Sequence, residues 1–447
     1  MKELNSIPTS KIERASKFVG TGAKVGVNYI KHFARKVADP NTDNSQLNAD
    51  NAEDIYNSLS EMKGSVLKLA QMLSMDKGAL PKEYVDKFSL AQFNTPPLSA
   101  PLVNKVFKTS FGKTPAEIYD TFEPNATHAA SIGQVHKATK DGKKLAVKIQ
   151  YPGVADSIKS DIKIAKPLAV RLFNIKPKEL DKYLGEVESK LMEETDYRLE
   201  LSQSKEIAEA CAHLENLKFP EYYEEFSSDK ILTMTWLEGK HLKEFLSTNP
   251  SQEIKNKVGQ AMWDFYLFQS HHLKKIHADP HPGNFLIQDD GTLAVIDFGC
   301  VKSVPTDFYL SFYAVSLPEV MNDKALFEKY LLKLEMIQEN ETREKKDFIS
   351  KLFHELLTIS TLPFQTEYFD FGDSSYLAKL YAFGEELAKM DEVRNDDPRG
   401  SKHFIYINRT FYGLYSLLSE LQANIKTGMP WRDFIKEKIG LQGLAQV

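Results

Sequence analysis

The sequence is poor in cysteine, in long apolar runs and in excess charge, and each shortage excludes something. Cys211 and Cys300 are the only cysteines among 447 residues. They lie far apart without metal-ligand spacing, which argues against a disulfide framework or a zinc site and points to a reducing cytosol. No run of about 18 apolar residues occurs, and the first residues lack an apolar signal-peptide core, so neither a membrane-spanning helix nor Sec-type export is expected. The net charge of -5 does not describe a chain built around nucleic acid.

What is present is ordinary for a folded, soluble chain. The apolar fraction of 42% and charged fraction of 27% disfavour extended disorder, and 11% aromatic residues can fill a sizeable core. The length allows two or three domains, or one bilobal enzyme with additions.

Within residues 11–36, seven cations face a single acid, Glu13. Ile12, Phe18, Val19, Val25, Tyr29 and Ile30 are interspersed among them. This stretch reads either as a basic interfacial helix or as a solvated, partly ordered arm, because Gly20, Gly22 and Gly26 weaken the helix. Residues 39–50 read as a polar linker. Ile55, Leu59, Met62, Val66, Leu69, Met72 and Leu73 then recur at helical spacing, with Lys68 and Gln71 three apart on one face of the helix.

Between residues 131 and 150 the pattern predicts two strands joined at Asp141-Gly142, a dipeptide that tolerates the positive φ of a tight hairpin. Residues 180–217 return to helical spacing, with Glu194 on the apolar stripe of Leu180, Leu184, Val187 and Leu191. A carboxylate on such a stripe needs a buried partner. A strand is expected at "ILTMT", and the C-terminal third reads as helical.

The strongest chemical signal is "HADPHPGNFLIQDDGTLAVIDFG". It sets His277, Asp279, Asn284 and the Asp297-Phe298-Gly299 triplet in the order of a kinase catalytic loop and its metal-binding triplet. The spacing has a physical reason. Such chemistry needs a loop residue, here Asp279, to accept the substrate proton or orient the attacking group, an amide oxygen five residues on to reach one Mg²⁺, and a hairpin, here through Asp289-Asp290-Gly291, to return the Asp297 carboxylate to the other metal face. A lone Asp-Phe-Gly is usually only a turn; the upstream loop at this distance makes it informative.

Lys148, in the apolar strand "LAVKI", has the position of a lysine that grips nucleotide phosphates and pairs with a helix glutamate. Glu188 and Glu194 can both serve as that partner, and spacing does not choose between them.

These segments, with "KLAQ", "AASIGQVH", "AVKIQYPGV" and "EETDY", resemble the UbiB/AarF family of atypical kinases over more than half of the chain. The resemblance implies an α+β, bilobal protein-kinase-like fold with an N-terminal helical extension and a helical C-terminal region. The corresponding divisions are a basic arm and linker at 1–50, the extension carrying Lys-x-x-Gln at 51–125, an N-lobe at 126–238, and a C-lobe with its helical region at 239–447.

It further implies that Ala129, Ala130 and Ser131 cover the nucleotide and that Lys68 and Gln71 close the site. Glu194 and Asp196 would meet the inserted helix, leaving Glu188 as the partner of Lys148. ATP or ADP with Mg²⁺ is the expected cofactor. The setting it implies is quinone or lipid metabolism, in a cytoplasmic protein in peripheral contact with the inner face of a membrane or its lipids.

Two departures bear on geometry: Ala70 stands where the family has glycine, and His128 where a third alanine is usual. Alanine does not readily reach the positive φ of a glycine-rich phosphate loop, so an altered ATP-versus-ADP preference is expected. Ala278 replaces the arginine of His-Arg-Asp and no Ala-Pro-Glu follows, which disfavours protein substrates. A nucleotide-gated scaffold and a small-molecule kinase are the competing readings.

Overall fold

Asp141 and Gly142 turn the chain as their residue types require. In the computed structural model both have positive φ, 48° and 74°. The strands they join, Gly133–Lys140 and Lys143–Gln150, pair antiparallel over their whole length, as a primed hairpin turn allows. The structure describes residues 11–39, 41–62, 81–89, 97–129, 132–173, 177–390, 392 and 399–441. The chain forms two compact units, Met1–Lys205 with Pro220–Trp236, and Glu206–Phe219 with Leu237–Val447.

In the first unit the hairpin is the centre of an antiparallel sheet. Thr121–Phe122 and His128–Ala129 pair with its first strand, and Ile231–Thr235 with its second. Leu145, Val147 and Ile149 are buried in a core with Val103, Phe107, Tyr119 and Ile231. Side chains alternate along a strand, so Lys148 points away from that core.

The N-terminal stretch is a helix, Lys11–Ala38, despite its glycines. Tertiary packing outweighs their low propensity: Phe18, Val25, Asn28 and His32 are buried on one face, and the helix packs on Ser45–Met62 and Val154–Phe173. The expected linker at 39–50 is therefore shorter than predicted, since helix resumes at Ser45. Arg14 donates two hydrogen bonds to the Asp161 carboxylate, 2.6 and 2.5 Å, with both side chains buried.

The helical pattern at 180–217 resolves into two helices, Pro177–Glu194 and Tyr197–Cys211. Asp196 causes the break: its Oδ1 accepts from the amides of Arg198 and Leu199, as an N-cap residue does.

In the second unit the Gln252–Phe268 helix, capped by Ser251, carries Trp263 and Phe265 through a large apolar core. It widens into a π turn, Gln269–Leu273, and Lys274 at φ 50° releases the chain into the strand Lys275–His277. Phe285–Ile287 and Leu293–Val295 form the expected second hairpin, with Gly291 at φ 83° in its turn. Among the described residues the C-terminal region is helical, as its spacing predicts, apart from one small ribbon of Tyr368–Asp370 with Asn424–Lys426.

Removing one member of a buried ion pair strands the other charge. Asp161→Ala is expected to cost about 3–5 kcal/mol, whereas the apolar double replacement Arg14→Met with Asp161→Leu recovers much of that loss. Urea unfolding midpoints of parent, single and double variants check this.

Candidate functional site

The first unit supplies a buried cation held by a carboxylate. Lys148 Nζ donates to Glu200 Oε1 at 2.7 Å, and both side chains are largely buried. This corrects the expectation for Glu188, which lies one helix earlier on Pro177–Glu194. Asp196 starts a new helix, and that helix presents Glu200 to the strand. Sequence reasoning stopped at Glu194; the signal it passed over was the N-cap aspartate, which resets the helical register.

Tyr197, at the start of the same helix, lays its ring 5.1 Å from Lys148 Nζ. Its hydroxyl would stand 2.7 Å from a Cβ on Gly133, as would the Ile149 carbonyl oxygen. Close approach of backbone and side chain is thus the reason for glycine in "SIGQ". Next to it Gln134 is buried: its Oε1 accepts from the Leu98 amide at 2.6 Å and its Nε2 meets His136 Nε2 at 2.7 Å. Burial lowers the His136 pKa, which favours the neutral ring.

Glu194 is buried near the end of its helix. Ala129 lies in the short strand opposite Gln134. Lys68, Gln71, Ala130 and Ser131 lie outside the described residues.

In the second unit the sequence motif folds into a braced loop. Val301–Ser303 pairs antiparallel with Lys275–His277, and the Ala278 amide donates to the Cys300 carbonyl at 2.8 Å, so the segments on either side of the loop and the Asp297 triplet are zipped together. His277 is buried, with its ring 5.5 Å from that of Phe298. Its amide donates to Gln269 Oε1 at 2.9 Å, and the Tyr266 hydroxyl lies 3.3 Å from Nδ1. Burial, and then the Asp279 carboxylate, hold the Tyr266 phenol well above its ordinary pKa, so it stays neutral.

Asn284 Nδ2 donates to the Asp279 carbonyl at 2.8 Å and approaches Asp279 Oδ2 at 3.3 Å. With its nitrogen committed to the loop, its amide oxygen is the atom left to meet a cation. Asp297 Oδ1 accepts from the Gly299 amide at 2.8 Å, which orients the second candidate ligand. An amide oxygen and a carboxylate are hard donors that suit Mg²⁺, an ion that commonly takes one or two protein ligands and completes its shell with phosphates and water. Among the described residues no cluster of three His, Cys, Asp or Glu side chains offers a metal site independent of nucleotide.

Arg409, from the Phe404–Leu421 helix, was not expected from the sequence. Its Nη2 donates to Asp279 Oδ1 at 2.6 Å, with both side chains largely buried. The same helix meets the loop closely at Gly413, where a Cβ would lie 2.2 Å from the Pro280 ring carbon Cγ. Where ordinary kinases carry an arginine beside the aspartate, Ala278 is buried with Cys300 and Tyr406, and the guanidinium comes from 130 residues further along the chain.

A His-x-Asp loop, an asparagine five residues on, a hairpin ending in Asp-Phe-Gly and a strand lysine paired with a helix glutamate define a protein-kinase-like protein. The chain belongs to the ABC1 atypical kinase-like family, also called UbiB, whose domain description matches residues 91–331. It is 26% identical over 460 residues to the probable serine/threonine-protein kinase abkA of Dictyostelium discoideum, covering 96% of this chain and 80% of that protein. It is also 26% identical over 446 residues to the mitochondrial atypical kinase COQ8 of Saccharomyces cerevisiae, covering 97% and 87%. Among solved structures it resembles Rv3197 of Mycobacterium tuberculosis, solved in complex with erythromycin: identity is 25%, TM-score 0.56, and coverage 89% of this chain and 97% of that one. No helix among the described residues is long and apolar enough to cross a membrane.

The brace on the catalytic loop is testable by its sterics. Gly413→Ala must push Pro280 aside and is expected to cost about 1–3 kcal/mol. Gly384→Ala, with nothing within 4 Å of its Cβ, is expected to gain up to about 1 kcal/mol through helix propensity. Thermal unfolding of the two variants reads this opposition of sign.

Proposed function

We propose that this chain is an atypical kinase or ATPase that binds Mg-ATP or Mg-ADP and supports isoprenoid-quinone or lipid metabolism rather than phosphorylating proteins. The observation that carries the proposal is the Asp279–Asn284 contact: the asparagine nitrogen is spent on the loop, so its oxygen is available for Mg²⁺. In this reading Asn284 and Asp297 hold the ion, which would neutralise phosphate charge. Lys148, kept in place by Glu200, grips the phosphates, and Asp279 orients an acceptor hydroxyl or water. Positioning and charge stabilisation then supply most of the catalysis.

Ala129, Ala130 and Ser131 are assigned to nucleotide cover, Lys68 and Gln71 to closure of the site, and Glu194 to the inserted helix. The quinone or lipid setting is supported by the names of relatives such as the atypical kinase COQ8, and a cytoplasmic location with peripheral membrane contact belongs to the same proposal. The chain after Asp297 supports the exclusion of protein substrates, since strand Val301–Ser303 and helix Thr306–Ala314 follow at once and leave no long activation segment.

One observation favours a second reading, a nucleotide-gated scaffold without rapid turnover. Arg409 occupies Asp279 Oδ1, an atom that would otherwise face an acceptor. Nucleotide binding without phosphate release in one preparation would select the scaffold.

Ligand at about 100 times its dissociation constant is expected to add about 2.7 kcal/mol of stability to the parent. Asp297→Ala is expected to remove the Mg-dependent part of that shift while leaving the apo protein folded. Thermal unfolding with Mg-ATP, Mg-ADP and EDTA makes the measurement, and an unchanged shift in Asp297→Ala would remove Asp297 from the metal site.

A further inference from the structure

The N-terminal helix has two apolar faces, and one of them is exposed among the described residues. Its packed face carries Arg14, Phe18, Thr21, Val25, Asn28 and His32, all buried. Val19, Ala23, Ile30, Phe33 and Val37 recur at intervals of three, four or seven and share the opposite side. There Val19 is 74% exposed, Ile30 72%, Phe33 71% and Val37 71%. Ten large hydrophobic side chains are exposed among the described residues, and six of them lie on this one helix. Isolated exposed apolar residues need no explanation, but a continuous row along a helix does.

The charge around the row limits what can cover it. Lys24 and Lys31 border one flank and Lys36 the other, all exposed and without an ion pair among the described residues. Glu13 is the only acid in the helix. A second copy laid on the same face would bring these lysines against their own kind, a repulsive arrangement for a self-complementary interface. An apolar strip flanked by cations is instead the pattern of a helix lying in a bilayer interface, its apolar side chains at the acyl boundary and its lysines among anionic headgroups. The helix is also fastened from behind, by the buried Arg14–Asp161 pair and by Asn28 Nδ2 donating to Asp54 Oδ2 at 2.9 Å and to Asn51 Oδ1 at 3.2 Å. It therefore presents the face on a folded unit and need not fold on contact.

We infer that the Val19–Ile30–Phe33–Val37 face of the Lys11–Ala38 helix is a docking surface for an anionic lipid bilayer. The inference deepens the lipid contact proposed above and rests on that reading for its biological setting, while its test needs no nucleotide.

The experiment is co-sedimentation of the full chain with vesicles of phosphatidylcholine alone and of equimolar phosphatidylcholine and phosphatidylglycerol. The parent is expected to partition onto the anionic vesicles and to leave them as salt rises. Ile30→Asp with Phe33→Asp is expected to reduce partitioning at least about tenfold. Lys31→Gln and Lys36→Gln are each expected to reduce it about fivefold on anionic vesicles only. These positions are solvent-exposed, so unfolding midpoints should match the parent; if the double variant fails to fold, Val37→Asp reads the same face. No binding by the parent, or binding that the face variants leave intact, overturns the proposal. So does self-association of the parent, by sedimentation velocity, that Phe33→Asp abolishes. A Mg-ATP thermal shift in the same preparation keeps the outcomes apart: a shift without vesicle binding sinks only the docking face, and vesicle binding without a shift sinks only the nucleotide reading.

Discussion

A charge taken out of water must meet its opposite, and three such meetings organise this protein. Arg14 meets Asp161, Lys148 meets Glu200, and Arg409 meets Asp279, joining residues 147, 52 and 130 positions apart in the chain. Each pair is largely shielded from solvent, so neither partner can be lost without stranding the other. The first pair fastens the N-terminal helix to the first unit. The second turns a strand lysine into an oriented ammonium. The third ties the catalytic loop to a helix near the end of the chain.

The third pair shows how the family's departure from ordinary kinases is accommodated. Ala278 is buried against Cys300 and Tyr406. The guanidinium arrives instead from Arg409, and Gly413 on the same helix lets the helix sit against Pro280. The loop is thereby held from the C-terminal region, with no activation segment of the usual kind to order it. The bond to Asp279 Oδ1 also fixes the orientation of that carboxylate.

Local chemistry was legible in the sequence, and long-range partners were not. Both hairpins were readable because Asp141-Gly142 and Asp290-Gly291 dictate a turn through their own backbone preferences, and the structure has positive φ at Asp141, Gly142 and Gly291. The Asp279–Asn284 loop was readable because the two residues are close in sequence, and the Asn284 side chain does bond back to Asp279. The Lys148 partner was placed one helix too early, at Glu188 and not Glu200, because the run of apolar spacing through Leu191 hid the new start that Asp196 imposes. Arg409 was invisible: it lies among apolar residues on a helix whose pattern speaks only of packing. The N-terminal helix was doubted on propensity, which does not include the Arg14–Asp161 pair or the apolar contacts behind it.

If Asn284 and Asp297 hold a metal ion on a bound nucleotide, calorimetric titration of ATP into the full chain will register it. Binding is expected to be strong with Mg²⁺, much weaker in EDTA, and insensitive to Mg²⁺ once Asn284 is replaced by alanine. Equal affinity with and without Mg²⁺ in the parent would contradict it.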